Sequence, residues 1–253
     1  MMPVFLKSLI IAFVVTQIGI FCTTIFLHRA ASHKALKLSF KMTILFRTLI
    51  WITTGIKPRQ WVGVHRAHHA FTDVPGDPHS PILLGFAAVQ FGNVFYYRRA
   101  IKTPGLVDRY AKDLAPDRWD KAIFDRTFVG LGIGIASLFF VFGWQVMLIA
   151  SLLHTIMYLG LSGAINAIGH TFGRRPYDNL ATNNNWLALI TAGEGLHNNH
   201  HAAPTSARMA LGKKQLDPAW PLIRLMMAAG QATIRHAEPK FVNKERVSKG
   251  SFA

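Results

Sequence analysis

Residues 8–33 read SLIIAFVVTQIGIFCTTIFLHRAASH, an apolar run that passes directly into a pair of histidines. Residues 8–27 contain no Asp, Glu, Lys or Arg. At about 1.5 Å per residue they form roughly 30 Å of helix, which matches the hydrocarbon core of a bilayer. The run exceeds the apolar region of a cleavable signal peptide, and no A-x-A site follows it cleanly. We therefore expect a transmembrane helix that ends at the histidine pair.

A second uncharged stretch covers residues 127–173 and is long enough for two more crossings. The Gly-Trp-Gln step at 143–145 predicts the turn between them. Residues 40–56 are apolar but carry Lys41 and Arg47, so we expect an amphipathic helix that lies in the membrane interface. The prediction is an all-α integral membrane protein with three to four transmembrane helices and a cytoplasmic, histidine-rich cap.

The formal net charge of +16 indicates how the chain is oriented in the membrane and which classes of partner it binds. Lys7 is the only Lys or Arg on the N-terminal side of the predicted spans, and the other basic residues share a side with every histidine group. The positive-inside tendency makes that side cytoplasmic. Basic residues within 98–126 alternate with Asp, and no nucleic-acid-binding motif accompanies them. Anionic lipids or an acidic protein are the expected partners, and a merely solvated face explains the charge equally well.

The cysteine count and the polar C-terminus complete the organisation of the chain. Cys22 is the only cysteine, so no disulfide, zinc–thiolate site or iron–sulfur cluster is encoded, and any electrons must come from another protein. We interpret residues 1–235 as a single membrane domain. Residues 236–253 form a basic tail that we expect to be disordered.

Nine of the twelve histidines fall into four short groups. They are HRAASH at 28–33, HRAHH at 65–69, NAIGH at 166–170 and HNNHH at 197–201. Imidazole is a common ligand of transition metals, and two HxxHH clusters supply more ligands than one ion can use, so the pattern predicts two metals. Helix-bundle di-iron proteins usually draw on about four Glu. This chain has three, so we expect a site built almost wholly from histidine.

Helical spacing relates the histidines within each group. Positions i, i+3 and i+4 share one face, so each HxxHH triplet forms a ready half-site. His28 and His33 are five residues apart, about 140° around an ideal helix, and can reach one ion only if the helix ends between them.

The remaining histidines are judged by their neighbours. His170 is expected to be a ligand because it lies at the cytoplasmic end of the last span, with Asn166 one turn before it. His154 stands without a second histidine in register within a span, so we expect a hydrogen-bonded membrane histidine. His79 and His236 are left outside the site.

Together, HRAASH, HRAHHAFTDVPGDPHS, NAIGHTFGRRPYDN and NWLALITAGEGLHNNHHAAP resemble the membrane fatty acyl desaturases of the stearoyl-CoA Δ9 type, over residues 8–210. The resemblance implies two irons and O₂ as co-substrate, with a cis double bond, at Δ9, introduced into a saturated acyl chain by two electrons. It also implies that Asn166 reaches one iron through water. The implied iron ligands are His28, His33, His65, His68, His69, His170, His197, His200 and His201.

The resemblance further implies a substrate and an electron donor. The substrate is a fatty acyl thioester of CoA or ACP, or an acyl lipid, and the donor is an external ferredoxin or cytochrome-type protein with its reductase. Acyl-CoA enzymes often carry a basic residue where this chain has Gly63, which leaves the carrier open. We expect a bacterial inner membrane with the histidine face cytoplasmic.

The family usually begins with a membrane hairpin, whereas one span precedes the first histidine here. The acyl tunnel is therefore predicted along that span, at Ala12 and Thr16, together with Trp61. The alternative for the two small residues is close packing of helices, as in small-xxx-small patterns.

Two other functions remain open from the sequence. A hydroxylase or other oxygenase of the same superfamily would use the same histidines. A non-enzymatic membrane metal-binding protein is less compatible with the pattern, because transport needs polar ligands along a path through the bilayer and only His154 lies deep in a span.

Overall fold

The N-terminal apolar run forms one continuous helix that extends into the first histidine group. In the computed structural model, which describes residues 2–242, this helix covers Val4–Ser32 and is long and apolar enough to cross a membrane. Its first part, α1 (Val4–Cys22), is α-helical, and its last part, the π segment Thr23–Ser32, is wound as a π-helix. The predicted helix is therefore present as a candidate span, and it continues past His28.

The second uncharged stretch folds into the expected hairpin. Helices α7 (Thr127–Phe142) and α8 (Trp144–Thr171) are joined at Gly143, whose φ of 84° is one that glycine adopts without strain. α8 is the second helix long enough to cross a membrane, whereas α7 is apolar but shorter. The part of the chain that the structure describes thus has two candidate spans, and the third and fourth crossings stay a prediction.

Helix α2 (Phe40–Thr53) follows the short strand β1 (Leu36–Leu38) and packs against α1 and α7. The Oγ of Ser39 accepts a hydrogen bond from the backbone N–H of Met42 and caps its N-terminus. Arg47 in mid-helix is buried because its guanidinium pairs with Asp117 and Asp120. The charge that interrupts this apolar segment is thus compensated inside the protein.

The remaining elements build the cap around the ends of the long helices. They are α3 (Pro58–Ala70), α4 (Pro81–Leu84), α5 (Phe86–Lys102), α6 (Leu106–Tyr110), a π turn (Asp120–Phe124), α9 (Asn185–Ile190), α10 (His197–Ala202), α11 (Ala219–Ala228) and β2 (Ala232–Ile234). β1 and β2 pair antiparallel, with Lys37 opposite Thr233. Of the predicted tail at 236–253, residues 243–253 lie outside the described chain.

The apolar side chains form a buried core where the cap meets the long helices and an exposed surface along those helices. Ile25, Leu27, Ile50 and Ile223 are completely buried where the π segment, α2 and α11 meet, and each contributes about 1.5–3 kcal/mol to folding. Large apolar side chains on α1, α7 and α8 are instead exposed, such as Phe140 at 83%. Exposed apolar area of this extent on long helices is consistent with a membrane protein.

Candidate metal centre

The nine grouped histidines converge into two adjacent sets in the cap. Within each set, the candidate ligand nitrogens all lie within 4.8 Å of one another. The first set has five members, His28, His33, His65, His69 and His200, and the second has four, His68, His170, His197 and His201. We call them the five-histidine group and the four-histidine group.

Each HxxHH triplet is divided between the two groups. In α3, His65 and His69 belong to the five-histidine group and His68 to the four-histidine group. In α10, His200 belongs to the five-histidine group, and His197 and His201 belong to the four-histidine group. Successive helical residues differ by about 100° in direction, so adjacent histidines point into different groups. The expectation that each triplet forms one half-site is wrong, since α3 and α10 each contribute to both groups.

His28 and His33 share the five-histidine group although the helix does not end between them. The helix continues to Ser32, and the backbone N–H of His33 donates to the carbonyl of His28 at 3.1 Å. In a π-helix such i→i+5 bonds place residues five apart about one turn from each other. The two rings therefore meet, with centroids 5.0 Å apart, and the predicted break is replaced by a change of helical winding.

The spacing of the Nε2 atoms fits the requirements of bound metal ions. Nitrogens that share one ion at about 2.1 Å are roughly 3 Å from each other. The Nε2–Nε2 distances are 2.7 Å for His33 and His65, 2.9 Å for His28 and His200, 2.9 Å for His69 and His200, and 3.3 Å for both His68–His201 and His197–His201. In both groups the imidazoles therefore present their nitrogens to a common centre.

Buried carboxylates hold the imidazoles of His28 and His68 in the required tautomer. Nδ1 of His28 donates to Glu194 at 2.7 Å, and Nδ1 of His68 donates to Asp77 at 2.9 Å. A hydrogen on Nδ1 leaves the lone pair on Nε2 for a metal. Sequence reasoning missed both carboxylates, although Glu194 stands three residues before His197, the one Glu-x-x-His step in the chain.

His170 gives the most direct test of the fit. Its Nδ1 donates to Asp73 at 2.7 Å, while its Nε2 is buried without a hydrogen-bond partner among the described residues. A buried acceptor without a partner costs free energy unless a ligand satisfies it. The residues present thus fit two metal ions, with histidine in direct contact and carboxylates one step behind.

Electrostatics keep six of the grouped histidines in the neutral form that binds metals. Burial lowers the pKa of His33, His65, His69, His197, His200 and His201 well below the ordinary value, and the neighbouring imidazoles add to the effect. Burial, the largest single effect, raises the pKa of Asp77, but the interactions with His68 and His79 together outweigh it and lower that pKa to about 2.

Two arginines anchor the histidine segments to the cap. Arg29 is 1% exposed and pairs with Asp217, donating also to the carbonyls of Ala192 and Ala207. Arg66 donates to the carbonyls of Ala31 and Ser32, the last residues of the π segment. Each His-Arg step therefore places one side chain at the candidate metal site and the next in the structure that supports it.

A cavity of about 410 Å³ leads to both histidine groups. It reaches His65 of the five-histidine group and His197 of the four-histidine group. Asn166 lies in its wall and donates through Nδ2 to Asn93 Oδ1 at 3.0 Å. Apolar walls come from Ile20, Val64, Val94, Leu159 and Ile165. An elongated apolar ligand inside it would lie against the candidate metal site.

Comparison with known proteins gives this site its class. A family model described as fatty acid desaturase matches residues 4–237. The chain belongs to the fatty acid desaturase family. It is 34% identical over 246 residues to an acyl-CoA C20 Delta5-desaturase of Anemone leveillei, covering 96% of this chain and 78% of that protein. The resemblance seen in the histidine motifs is confirmed, and the protein is an acyl desaturase, an oxidoreductase.

Other relatives differ in substrate. An sn-1 stearoyl-lipid 9-desaturase of Anabaena variabilis is 32% identical over 183 residues, 70% of this chain and 64% of that protein. An sn-2 palmitoyl-lipid 9-desaturase of Nostoc sp. (strain 36) is 32% identical over 209 residues, 81% of this chain and 73% of that protein. The names of these relatives cover both acyl-CoA and acyl-lipid substrates and more than one double-bond position.

The cavity of about 410 Å³, called the acyl cavity from here on, is lined by one of the three residues predicted for the tunnel. Trp61 lines it and stacks on His65, with ring centroids 4.8 Å apart. Ala12 and Thr16 are fully buried but do not line it: Ala12 packs with Val146 and Ala150 of α8, and Thr16 bonds to α8 as well. The structure therefore places these two small residues in a helix–helix contact, the alternative that the sequence left open.

Two other histidines show one expectation confirmed and one corrected. His154 accepts from the Thr16 hydroxyl at Nδ1, 2.9 Å, and donates from Nε2 to the Thr53 carbonyl at 2.8 Å, as expected for a hydrogen-bonded histidine. His79 was expected outside the site, yet it is buried beside His68 and lines the acyl cavity. Neither of its ring nitrogens has a hydrogen-bond partner among the described residues.

Proposed function

We propose that this desaturase introduces a cis double bond, at Δ9, into a saturated fatty acyl chain, with O₂ and two electrons as co-reactants. The observation that carries the proposal is the meeting of the apolar cavity with both histidine groups. Two irons, Fe²⁺ in the reduced enzyme and Fe³⁺ in the oxidised one, are the proposed cofactors. The proposed ligands are His28, His33, His65, His69 and His200 for one iron and His68, His170, His197 and His201 for the other, with Asn166 acting through water.

The protein contributes to the reaction by holding the acyl chain in position and excluding water from it. When bound, the irons supply the oxidising power that an unactivated C–H bond requires. Such a bond offers no charge for a side chain to recognise, so the position of the double bond depends on how deeply the chain is held. Trp61 and Val64 of α3 and Ile165 of α8 line the cavity close to the histidines and would hold the methylene groups there.

The basic residues in the cavity lining suggest how the acyl carrier is held. Lys57, Gln60 and Arg98 line the same cavity, and Arg98 also borders a second, basic pocket with Arg99 and Lys102. These cations suit an anionic carrier, namely the phosphates of CoA, acidic ACP or an anionic lipid headgroup.

Gly63 explains why the basic position of acyl-CoA enzymes is missing here. A Cβ at Gly63 would lie 3.1 Å from Cα of Val107, because α6 crosses directly over α3. The neighbouring cation, Arg59, is already paired with Asp108. Lys57 has a longer ion pair, 3.6 Å to Asp125. A carrier phosphate would therefore meet Arg98 first, and Lys57 in exchange for that pair.

A second opening supports an external electron donor. A cleft of about 600 Å³ is lined by three of the proposed ligands, His33, His69 and His201, and shares no lining residue with the acyl cavity. A ferredoxin or cytochrome-type protein, supplied by its reductase, could approach the irons there while the acyl chain occupies the cavity. The net charge of +16 favours an acidic donor.

The membrane arrangement is part of the same proposal. We infer three crossings, α1 with its π segment, α7 and α8, with α2 in the interface and membrane lipids around the exposed apolar faces. The histidine cap then faces the cytoplasm of a bacterial cell from the inner membrane. Residues 1–235 act as one domain.

Expression in a host that lacks its own desaturase tests the function. Fatty-acid chromatography with location of the double bond should show a cis-Δ9 monounsaturated product in cells that carry the gene and none in the empty host. A double bond elsewhere would correct the position alone. A hydroxylated product would replace desaturation by the oxygenase alternative, and no new product with any acyl carrier would overturn the proposal.

Metal analysis tests the cofactor separately. Protein produced in iron-rich medium should contain about two irons per chain, and its Mössbauer spectrum should show no carboxylate bridge. One iron per chain, or the signal of a bridged cluster, would contradict the proposed ligand set.

A further inference from the structure

The acyl cavity has a defined inner end that neither the motifs nor the family match assigns. Tyr158 of α8 lines the cavity together with Ile20 and Thr23 of the N-terminal helix, and it is 8% exposed. Beyond its ring lies His154, at a centroid distance of 5.9 Å, with Thr16 bonded to it. Neither His154 nor Thr16 lines the cavity. Along α8, Tyr158 is therefore the lining residue farthest from His170.

Two contacts hold the Tyr158 ring in this position. Its hydroxyl shares a hydrogen bond of 2.7 Å with the Thr23 hydroxyl, which begins the π segment. Its edge lies against the backbone of α1 at Gly19, where a Cβ would be only 3.2 Å from Tyr158 Cε2. The glycine provides the space for the ring, and the hydrogen bond fixes its direction across the gap between α1 and α8.

The same hydrogen bond makes the end of the cavity compatible with a methyl group. Two hydroxyls in an apolar surrounding are costly when unpaired. Because Tyr158 and Thr23 pair with each other, an alkyl chain can approach them without stripping either of a partner. The end of the cavity thus combines a rigid ring with satisfied polar atoms.

We propose that Tyr158, held by Thr23 and Gly19, is the residue that limits the length of the acyl chain on the methyl side of the new double bond. The inference rests on the proposed function, because it concerns the acyl chain in the same cavity. Tyr158 is a specificity-determining residue in this reading and has no part in the chemistry. Removing its ring would extend the cavity from Tyr158 toward His154 and Thr16.

The test compares product chain lengths for the wild type and the Tyr158→Ala variant in membranes of the desaturase-free host, supplied with saturated chains of graded length. One methylene in an apolar pocket changes selectivity by about tenfold or more. Tyr158→Ala should therefore raise the ratio of long to short unsaturated products by at least about tenfold, with the double bond at an unchanged distance from the carboxyl carbon. Tyr158→Phe keeps the ring against Gly19 and should keep the wild-type length limit.

The controls separate a wrong length limit from a wrong function. Ile156→Ala removes a side chain that is 59% exposed on the same helix and should leave the product distribution unchanged. If Tyr158→Ala does not accumulate, Tyr158→Leu, with a smaller reduction in volume, should show a smaller shift in the same direction. Wild-type protein that forms no double bond overturns the proposed function. Active wild type with an unshifted Tyr158→Ala or Tyr158→Leu profile, or a uniform loss at all lengths, overturns the length limit.

Discussion

Nδ1 of His170 donates to the carboxylate of Asp73 across 2.7 Å, although 97 residues separate them in the chain. The pair joins the end of a long apolar helix to the loop after α3, and Ser80 adds a second hydrogen bond to the same carboxylate. Burial would raise the pKa of Asp73, but the bonds from His170 and Ser80 lower it, so the carboxylate is charged and orients the imidazole.

Replacing Asp73 by Ala should therefore weaken metal binding without removing a ligand. Loss of such an outer partner costs about 10–100-fold in metal affinity or activity. Iron content after dialysis against graded chelator measures the change. Asp108→Ala, at an exposed ion pair with Arg59, is the control and should retain its iron. Equal iron retention in Asp73→Ala and wild type would show that the hydrogen bond does not tune the metal.

A substitution in either histidine group should remove one of the two proposed metals and leave the other. His200→Ala removes a ligand of the five-histidine group, whereas His68→Ala and His170→Ala each remove one of the four-histidine group. Each variant should lose the product and retain about half of the iron, because the other group stays complete. Iron per chain and product yield are the measurements, with His236→Ala as the control. Near-full activity of His170→Ala would remove it from the ligand set.

The position of Ala12 predicts a packing defect. Ala12 is fully buried against Val146 and Ala150, so Ala12→Phe should overpack the contact between α1 and α8 and cost about 1–3 kcal/mol. We expect a lower Tm and less product at all chain lengths, with an unchanged length preference. Ile10→Phe, at a position 47% exposed on the same helix, should leave Tm unchanged. A shift toward shorter acyl substrates in Ala12→Phe would instead return Ala12 to the tunnel.

The Arg47 ion pair predicts a pH-dependent contribution to stability. The hydrogen bond from Arg47 lowers the pKa of Asp117 to about 2. Because this pKa lies below the unfolded value of about 3.9, the stabilisation is complete above that value and is lost as the pH falls through about 2.

Arg47→Met should therefore lower Tm at neutral pH, and the difference from wild type should shrink as the pH falls below about 4. Asp117 is 48% exposed on its side chain, so solvent screening keeps its share of the effect modest. Thermal unfolding in detergent across this pH range measures it. Lys41→Met, at an exposed site on the same helix, is the control. A constant Tm difference at every pH would show that Arg47 stabilises α2 by packing alone.

Local pattern and side-chain chemistry were enough to predict many of the helices and the residues of the candidate site. Uncharged runs of helical length predict α1 and the α7–α8 hairpin, because a long segment without charge has few alternatives to a helix in an apolar environment. The histidine spacing predicts which residues converge, since i and i+4 positions share a face in any helix. His154 follows from the same reasoning, because a membrane histidine without a histidine neighbour must bond to whatever polar atom is within reach.

The tertiary structure alone decided how these parts are combined. Whether His68 joins His65 or His170 depends on how α3 faces α8 and α10, and Asp73, Asp77 and Glu194 become partners of histidines only when distant segments pack together. The π winding that aligns His28 with His33 is equally invisible in a linear pattern, because the same residues also suit an α-helix. The sequence by itself therefore determined the candidate ligands and the candidate spans, which depend on residue type and local period. The division of the ligands, the carboxylates behind them and the ring that ends the cavity depend on contacts between segments far apart in the chain.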